Sequence, residues 1–193
     1  GLKKQTILDK AAALIARKGF EKATMMDVAK ACGASKSHVY HYFPSKEELL
    51  FEIAHAHITS QADELKAIVA LPLSADERLA RFVDSFVQGA VRSRSEHLIL
   101  THELKFLPRA PRDRIRRLEI EMTGLLVQLL REVNPAVMAE PHAQTPYALL
   151  LYGMMIWISH WYSRSGPIAP AELAERIADL FAHGFRTLKP RTT

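Results

Sequence analysis

An all-α fold is predicted by three features of the 193-residue sequence. Apolar residues recur at helical spacing from one end to the other. Glycines and prolines punctuate the periodic stretches, and capping sequences open several of them; no run shows the alternation of a strand. The composition, 48% hydrophobic and 24% charged, is that of a folded chain with a real core.

The elements follow in order. Ile7, Leu8, Ala11, Leu14 and Ile15 share one face of a first helix, which Gly19 ends. Thr24, with Asp27 three residues on, is a capping box that opens a short second helix. Val28, Ala29 and Cys32 line that helix and Gly33 breaks it. A third short helix is expected from about Ser35 to Tyr42, stopped before Pro44. Ser45 and Glu48 form another capping box, followed by a long helix holding Leu49, Leu50, Ile53, Ile58, Leu65, Ile68 and Val69. Beyond Leu71-Pro72 the pattern predicts five more helices, over about 75–93, 95–106, 112–133, 145–163 and 170–188, with a loop around Pro135 and Pro141. That makes about nine helices. The apolar run "PYALLLYGMMIWI", 146–158, is expected to be a buried helix, because a membrane span needs about 20 such residues.

Charge is unevenly placed. Residues 1–50 hold nine Lys or Arg against five Asp or Glu, net +4, and the remaining 143 residues are net +1. A basic module joined to a near-neutral body points to a polyanion contacted at one end. The single cysteine, Cys32, rules out an internal disulfide framework and fits a reducing cytoplasm, where the chain is expected to work. No signal-peptide pattern is expected from the polar opening residues.

The stretch "CGASKSHVYHYFPSKEELL", 32–50, is too polar for a hidden helix and too aromatic for a plain solvated one. Two short helices about a glycine turn make a helix-turn-helix, whose second helix enters the DNA major groove. Gly33 suits the turn because positive φ costs it nothing. Ala29, Val39 and Phe43 are the expected apolar contacts between the helices, leaving Ser35, Lys36, Ser37, His38, His41 and Tyr42 outside. Lys36 reaches a guanine edge or a phosphate, and Tyr40 lies along the backbone of the duplex. Thr24 and Lys46 flank the pair at two helix N-termini, where an anionic phosphate is favoured.

Residues 7–53, "ILDKAAALIARKGFEKATMMDVAKACGASKSHVYHYFPSKEELLFEI", resemble the N-terminal domain of TetR-family transcriptional regulators. The GF pair, the threonine before the second helix and the run up to "F..K..L" are all present. Val39 and Ala34 stand where leucine and valine are usual. The resemblance implies that Thr24, Ser35, Lys36, Ser37, His38, Tyr40, His41 and Lys46 face DNA. It divides the chain into a DNA-binding domain, 1–47, and a ligand-binding and dimerisation domain, 48–193. It further implies a homodimer on a palindromic double-stranded operator, repression as the default, and release by a small-molecule inducer that shifts the fourth helix.

The family's dimer is a four-helix bundle of the last two helices. Leu173, Ile177, Leu180, Phe181 and Gly184, together with Trp157, are the residues expected at that interface. The segment "YGMMIWISHWYSRSGPIAPAELAERIADLFAHGF", 152–185, is similar to a subgroup whose inducers are acyl-CoA thioesters, through Trp157, Trp161, Tyr162, Gly166, Pro167, Pro170 and Glu172. An acyl tail wants apolar walls, and nucleotide phosphates want arginine forks. Met122, Leu125, Leu126, Met154, Trp157 and Trp161 are the expected walls. Arg109, Arg112 and Arg116, within "RAPRDRIRR" (which adds Arg114 and Arg117), and Arg164 are the expected cations.

Two alternatives stay open. One is a TetR-type sensor of hydrophobic cationic drugs, with Glu103, Glu119 and Glu121 as acidic partners. The other is a helical enzyme or an interaction bundle without DNA binding. No nucleophile-base pair, glycine-rich phosphate loop or paired carboxylates support an enzyme, so no catalytic residue is expected. No cofactor is expected. No metal is expected either, since His55 and His57 are two apart and His97 and His102 five apart, both poor chelating spacings on a helix.

Overall fold

The computed structural model describes residues 4–190, and no strand occurs among the described residues. The chain divides into two compact units, each assembled from separate stretches of sequence.

The first unit comprises Gly1–Ser60 with Ser93–Arg117. It contains α1 (Lys4–Lys18), α2 (Met25–Cys32), α3 (Lys36–Tyr42), the opening turns of α4 (Lys46–Val69), α6 (Arg94–His102), a 3-10 turn (Leu104–Phe106) and the start of α7 (Arg109–Val133). The expected start signals are made as bonds. Thr24 Oγ1 accepts from the Asp27 amide at 3.1 Å, and Asp27 Oδ2 accepts from the Thr24 amide at 3.1 Å. These bonds hold the Asp27 carboxyl below its usual range, those from Thr24 first and Lys18 last. Ser45 Oγ accepts from the Glu48 amide at 3.0 Å. Gly33 sits at φ 62°, ψ 33°, and its N–H reaches the Ala29 and Lys30 carbonyls, so the chain turns tightly between α2 and α3. Ile7, Ile15, Val28, Ala29, Val39, Phe43, Leu49 and Leu50 are buried, and α1 packs on both α2 and α6.

The second unit comprises Gln61–Arg92 with Leu118–Thr193. It holds the later turns of α4 and α7, together with α5 (Ala75–Arg92), α8 (Pro135–Met138), α9 (Pro141–Ile156), α10 (Ile158–Trp161) and α11 (Pro170–Thr187). Its principal packing is α11 against α5. Two expectations are corrected here. The loop expected around Pro135 is a helical turn, because Asn134 Oδ1 caps it through the Val137 amide at 3.2 Å. The Asn134 side chain also donates from Nδ2 to the Phe185 carbonyl at 2.7 Å. The helix expected over 145–163 starts earlier, at Pro141, and breaks at Trp157. Ser159 Oγ donates to the Ile156 carbonyl at 3.0 Å, the side-chain competition that bends helices.

Candidate functional site

α3 presents a polar surface over a sealed apolar floor. Val39 is wholly buried, and Phe43 closes the end of the helix beneath it. Lys36, Ser37, His38, Tyr40 and His41 are exposed, as are Thr24 and Ser35 at the two helix starts. Ser35 Oγ accepts from the His38 amide at 3.2 Å and lies 3.0 Å from Ser37 Oγ. The Lys36 ammonium lies 5.5 Å from the Tyr40 ring centre, which holds cation and hydroxyl-bearing ring side by side. Tyr42 is half-buried, with His38 and His41 both edge-on to it at 5.5 Å. Burial raises the Cys32 thiol above its usual range despite nearby Lys10, so Cys32 stays a neutral packing residue.

Lys46 is a correction to the expected DNA face. Its ammonium donates inward to the carbonyls of Phe20 (2.7 Å), Ala23 (3.0 Å) and Glu21 (3.4 Å). An ammonium has three donors, and those three carbonyls at the α1–α2 corner occupy them. The ammonium also stands 4.2 Å from the Phe20 ring centre. It orders the corner leading into Thr24 instead of reaching a phosphate.

The charge division sharpens on the compact units. The first has sixteen Lys or Arg against nine Asp or Glu, net +7; the second has ten against twelve, net −2. Arg109, Arg112 and Arg116 therefore share a unit with α3, whereas Met122, Leu126, Met154, Trp157, Trp161 and Arg164 belong to the other. Arg109 is almost fully exposed, and its guanidinium lies 3.6 Å from the Asp113 carboxylate. The Arg114 guanidinium covers the Phe51 ring at 4.8 Å.

Within the second unit the expected ligand residues differ in exposure. Met122 and Leu126 are core residues. Trp157 is 60% exposed and Trp161 54%, so neither walls an enclosed pocket of this chain, a second correction. Trp157 stacks on His160 at 4.2 Å as a surface platform. Arg164 donates to the Val91 carbonyl at 2.8 Å and lines a cleft of about 590 Å³ with Gln88, Arg92, Tyr162 and Ile168. The dimer expectations also divide. Leu173 and Ile177 are each 7% exposed, because that side of α11 faces α5, so they are core residues and not interface. Leu180 is 71% exposed, Gly184 is exposed and Phe181 is half-buried against Phe185. Ile120, Leu149 and Leu150 are further exposed apolar residues that the periodic pattern did not single out.

Buried polar atoms mark two more residues. Tyr152, on α9, meets the rings of Phe82 and Phe86 edge-on, at 5.9 and 5.8 Å. Its hydroxyl has no hydrogen-bond partner among the described residues, and burial pushes its pKa well above the usual tyrosine range. His57, on α4, meets the His97 ring edge-on at 5.9 Å, and its Nε2 is also without a partner. Burial first, and the His97 charge second, push the His57 pKa down to about 4. Neither residue carries a local sequence signal; both stand out only through their surroundings. Of the carboxylates open to a cationic drug, Glu103 and Glu121 are engaged by the protein itself. Glu103 accepts from the Phe20 amide at 3.1 Å, and Glu121 pairs with Lys66 at 2.8 Å. Among the described residues no cluster of His, Cys, Asp or Glu could hold a metal, and no helix is long and apolar enough to cross a membrane.

A glycine-turned pair of short helices, the second exposed and polar on a basic unit, defines a helix-turn-helix DNA-binding protein. Residues 7–53 match the family described as "Bacterial regulatory proteins, tetR family", and residues 72–185 match "Tetracyclin repressor-like, C-terminal domain". The chain belongs to the TetR family of ligand-responsive DNA-binding transcriptional regulators. The HTH-type transcriptional repressor KstR2 of Rhodococcus jostii (strain RHA1) is 32% identical over 101 residues, 52% of this chain and 50% of that one. The match thus spans half the length of that relative. A TetR-family regulator from Bordetella parapertussis 12822 superposes with a TM-score of 0.89 at 29% identity, over 97% of each chain. AibR, solved in complex with isovaleryl coenzyme A and operator DNA, gives 0.80 at 25% identity, over 91% of this chain and 96% of that one.

Proposed function

We propose that this regulator is a homodimeric cytoplasmic repressor, held on a near-palindromic operator and released by an acyl-CoA or a related hydrophobic thioester, with no catalytic role. DNA reading is assigned to residues 1–47, through Thr24, Ser35, Lys36, Ser37, His38, Tyr40 and His41. Ligand binding and dimerisation are assigned to 48–193. That functional division does not coincide with the compact units, since 48–60 and 93–117 share the reader's core.

The observation that carries the reading is α3: every expected base- or phosphate-contacting side chain on it is solvated while Val39 anchors it from below. One such helix makes few contacts. Two, about one DNA turn apart, read a two-fold site. Pairing is supported by the exposed Leu180, Trp157, Leu150 and Gly184 and the half-buried Phe181, since large apolar side chains in water favour a partner.

For the inducer, AibR shows that this fold binds isovaleryl coenzyme A together with DNA. In this chain Arg92 and Arg164 rim a cleft floored by Tyr162, Pro167 and Ile168, a chemistry that suits a phosphate on an organic body. Arg109, Arg112 and Arg116 are further exposed or half-buried cations available to phosphates. The Tyr152 hydroxyl would donate to the thioester carbonyl inside the apolar second unit, which offers Met122, Leu126 and Met154 to the tail. Thioester binding must favour the form unable to bind DNA, since equal affinity for both forms shifts nothing.

Selection of duplexes from a random pool, followed by titration with acyl-CoAs from short to long chain, tests both halves. The expected outcome is a two-fold-symmetric site and release by at least one chain length. Failure to select any duplex removes the regulator reading. Stable binding that no acyl-CoA reverses removes the thioester.

A further inference from the structure

Phe20 is held on every side by residues far from it in sequence. Its amide donates to Glu103 Oε2 at 3.1 Å, a bond between residues 83 apart. Its ring stacks on Phe106 at 5.2 Å, inclined by 26°, and the Lys46 ammonium covers it at 4.2 Å. Its carbonyl accepts from the same ammonium, which also takes the carbonyl of Ala23, the residue just before the Thr24 cap. Phe20 is buried by these neighbours. The α1–α2 corner is thus clamped between the start of α4 and the segment that ends α6.

We propose that Glu103 and Phe106 are positioning residues for DNA binding: they touch no DNA, and they fix the α1–α2 corner so that Thr24 and α2 present α3 at the right angle. α6 is a nine-residue strut within the first unit. Near its start His97 meets His57 of α4, at its end Glu103 and Phe106 hold the corner, and α1 packs along it. The link to DNA rests on the reading proposed above; the clamp itself does not. A carboxylate is used because a charged acceptor binds an amide more strongly than a neutral one.

The full chain and its Glu103→Ala, Glu103→Gln, Phe106→Ala and Phe106→Tyr variants are compared by amide hydrogen exchange and by affinity for a duplex that the wild-type chain selects. Loss of a charge-assisted hydrogen bond or of the stack predicts about tenfold faster exchange across residues 20–28, with α9 and α11 unchanged. Affinity for the selected duplex falls by about tenfold in both alanine variants. Glu103→Gln retains an acceptor and Phe106→Tyr retains the stack, so both recover most of the wild-type behaviour. General destabilisation would speed exchange across the whole first unit, and that pattern overturns the proposal. Unchanged exchange at 20–28, or unchanged affinity when exchange rises, overturns it too. If the wild-type chain selects no duplex, the functional reading fails, and the exchange pattern alone decides whether the clamp exists.

Discussion

Phe43 in the first unit and Trp157 in the second are both large aromatic residues just beyond a helix end, yet one is 1% exposed and the other 60%. The contrast extends to their surroundings. Around Phe43, Val39, Leu49 and Leu50 are sealed and the exposed side chains are mostly polar or charged. Around Trp157, Leu149, Leu150 and Trp161 stay in water, as does Leu180 on α11. The first unit has finished its core and offers solvated donors, cations and rings, the surface of something that meets DNA. The second has apolar area to spare, the surface of something that meets a copy of itself. The two units thus differ in the kind of surface they leave uncovered.

The contrast breaks most severely at Phe43. Phe43→Ala empties a filled site and is expected to cost about 3–5 kcal/mol. Denaturant unfolding of the full chain should then show an early transition, and duplex binding should be lost with it. Leu180→Asp should leave folding intact but weaken self-association by about 2–3 kcal/mol for each side chain withdrawn. Sedimentation would show monomer where the wild-type chain is dimer, and Leu173→Asp would instead unfold the second unit.

A pH effect is expected from the buried His57. The folded pKa of His57 is depressed to about 4, so the folded form holds the imidazole neutral. As pH falls below the unfolded value of 6.5 the unfolded chain takes up a proton that the folded chain refuses, and stability is lost from there down to about 4. Between pH 7 and pH 5 the loss should be about 2 kcal/mol, and His57→Phe should remove it. Smaller still, Tyr152→Phe deletes an unsatisfied buried hydroxyl. It should leave the ligand-free chain level or up to about 1 kcal/mol more stable, while weakening acyl-CoA response.

The first unit was legible where its signals are local. Thr24, Asp27 and Gly33 act within a few residues of themselves, so α2 and the turn into α3 could be placed from sequence. Lys46 was misread for the opposite reason: a lysine at a helix start looks like a phosphate ligand until three carbonyls from the α1–α2 corner are found around it. The second unit depends more on distant partners. Asn134 looks like a loop residue, and only its bond to the Phe185 carbonyl shows why a turn forms there. The apolar positions of α11 cover two sides, and nothing in their spacing says that Leu173 and Ile177 are buried while Leu180 is not. The sequence marks His57 only as a poor chelating partner for His55 and gives Tyr152 no role of its own, because the absence of a partner is a property of the folded chain.

The most direct measurement is the salt dependence of binding to a selected duplex, made with the wild-type chain and with Lys36→Ala. Solvated α3 cations on phosphates predict a steep fall of affinity with salt, and a slope shallower by about one for each Lys36 removed. A flat response in both proteins would mean that this helix rests on no polyanion at all.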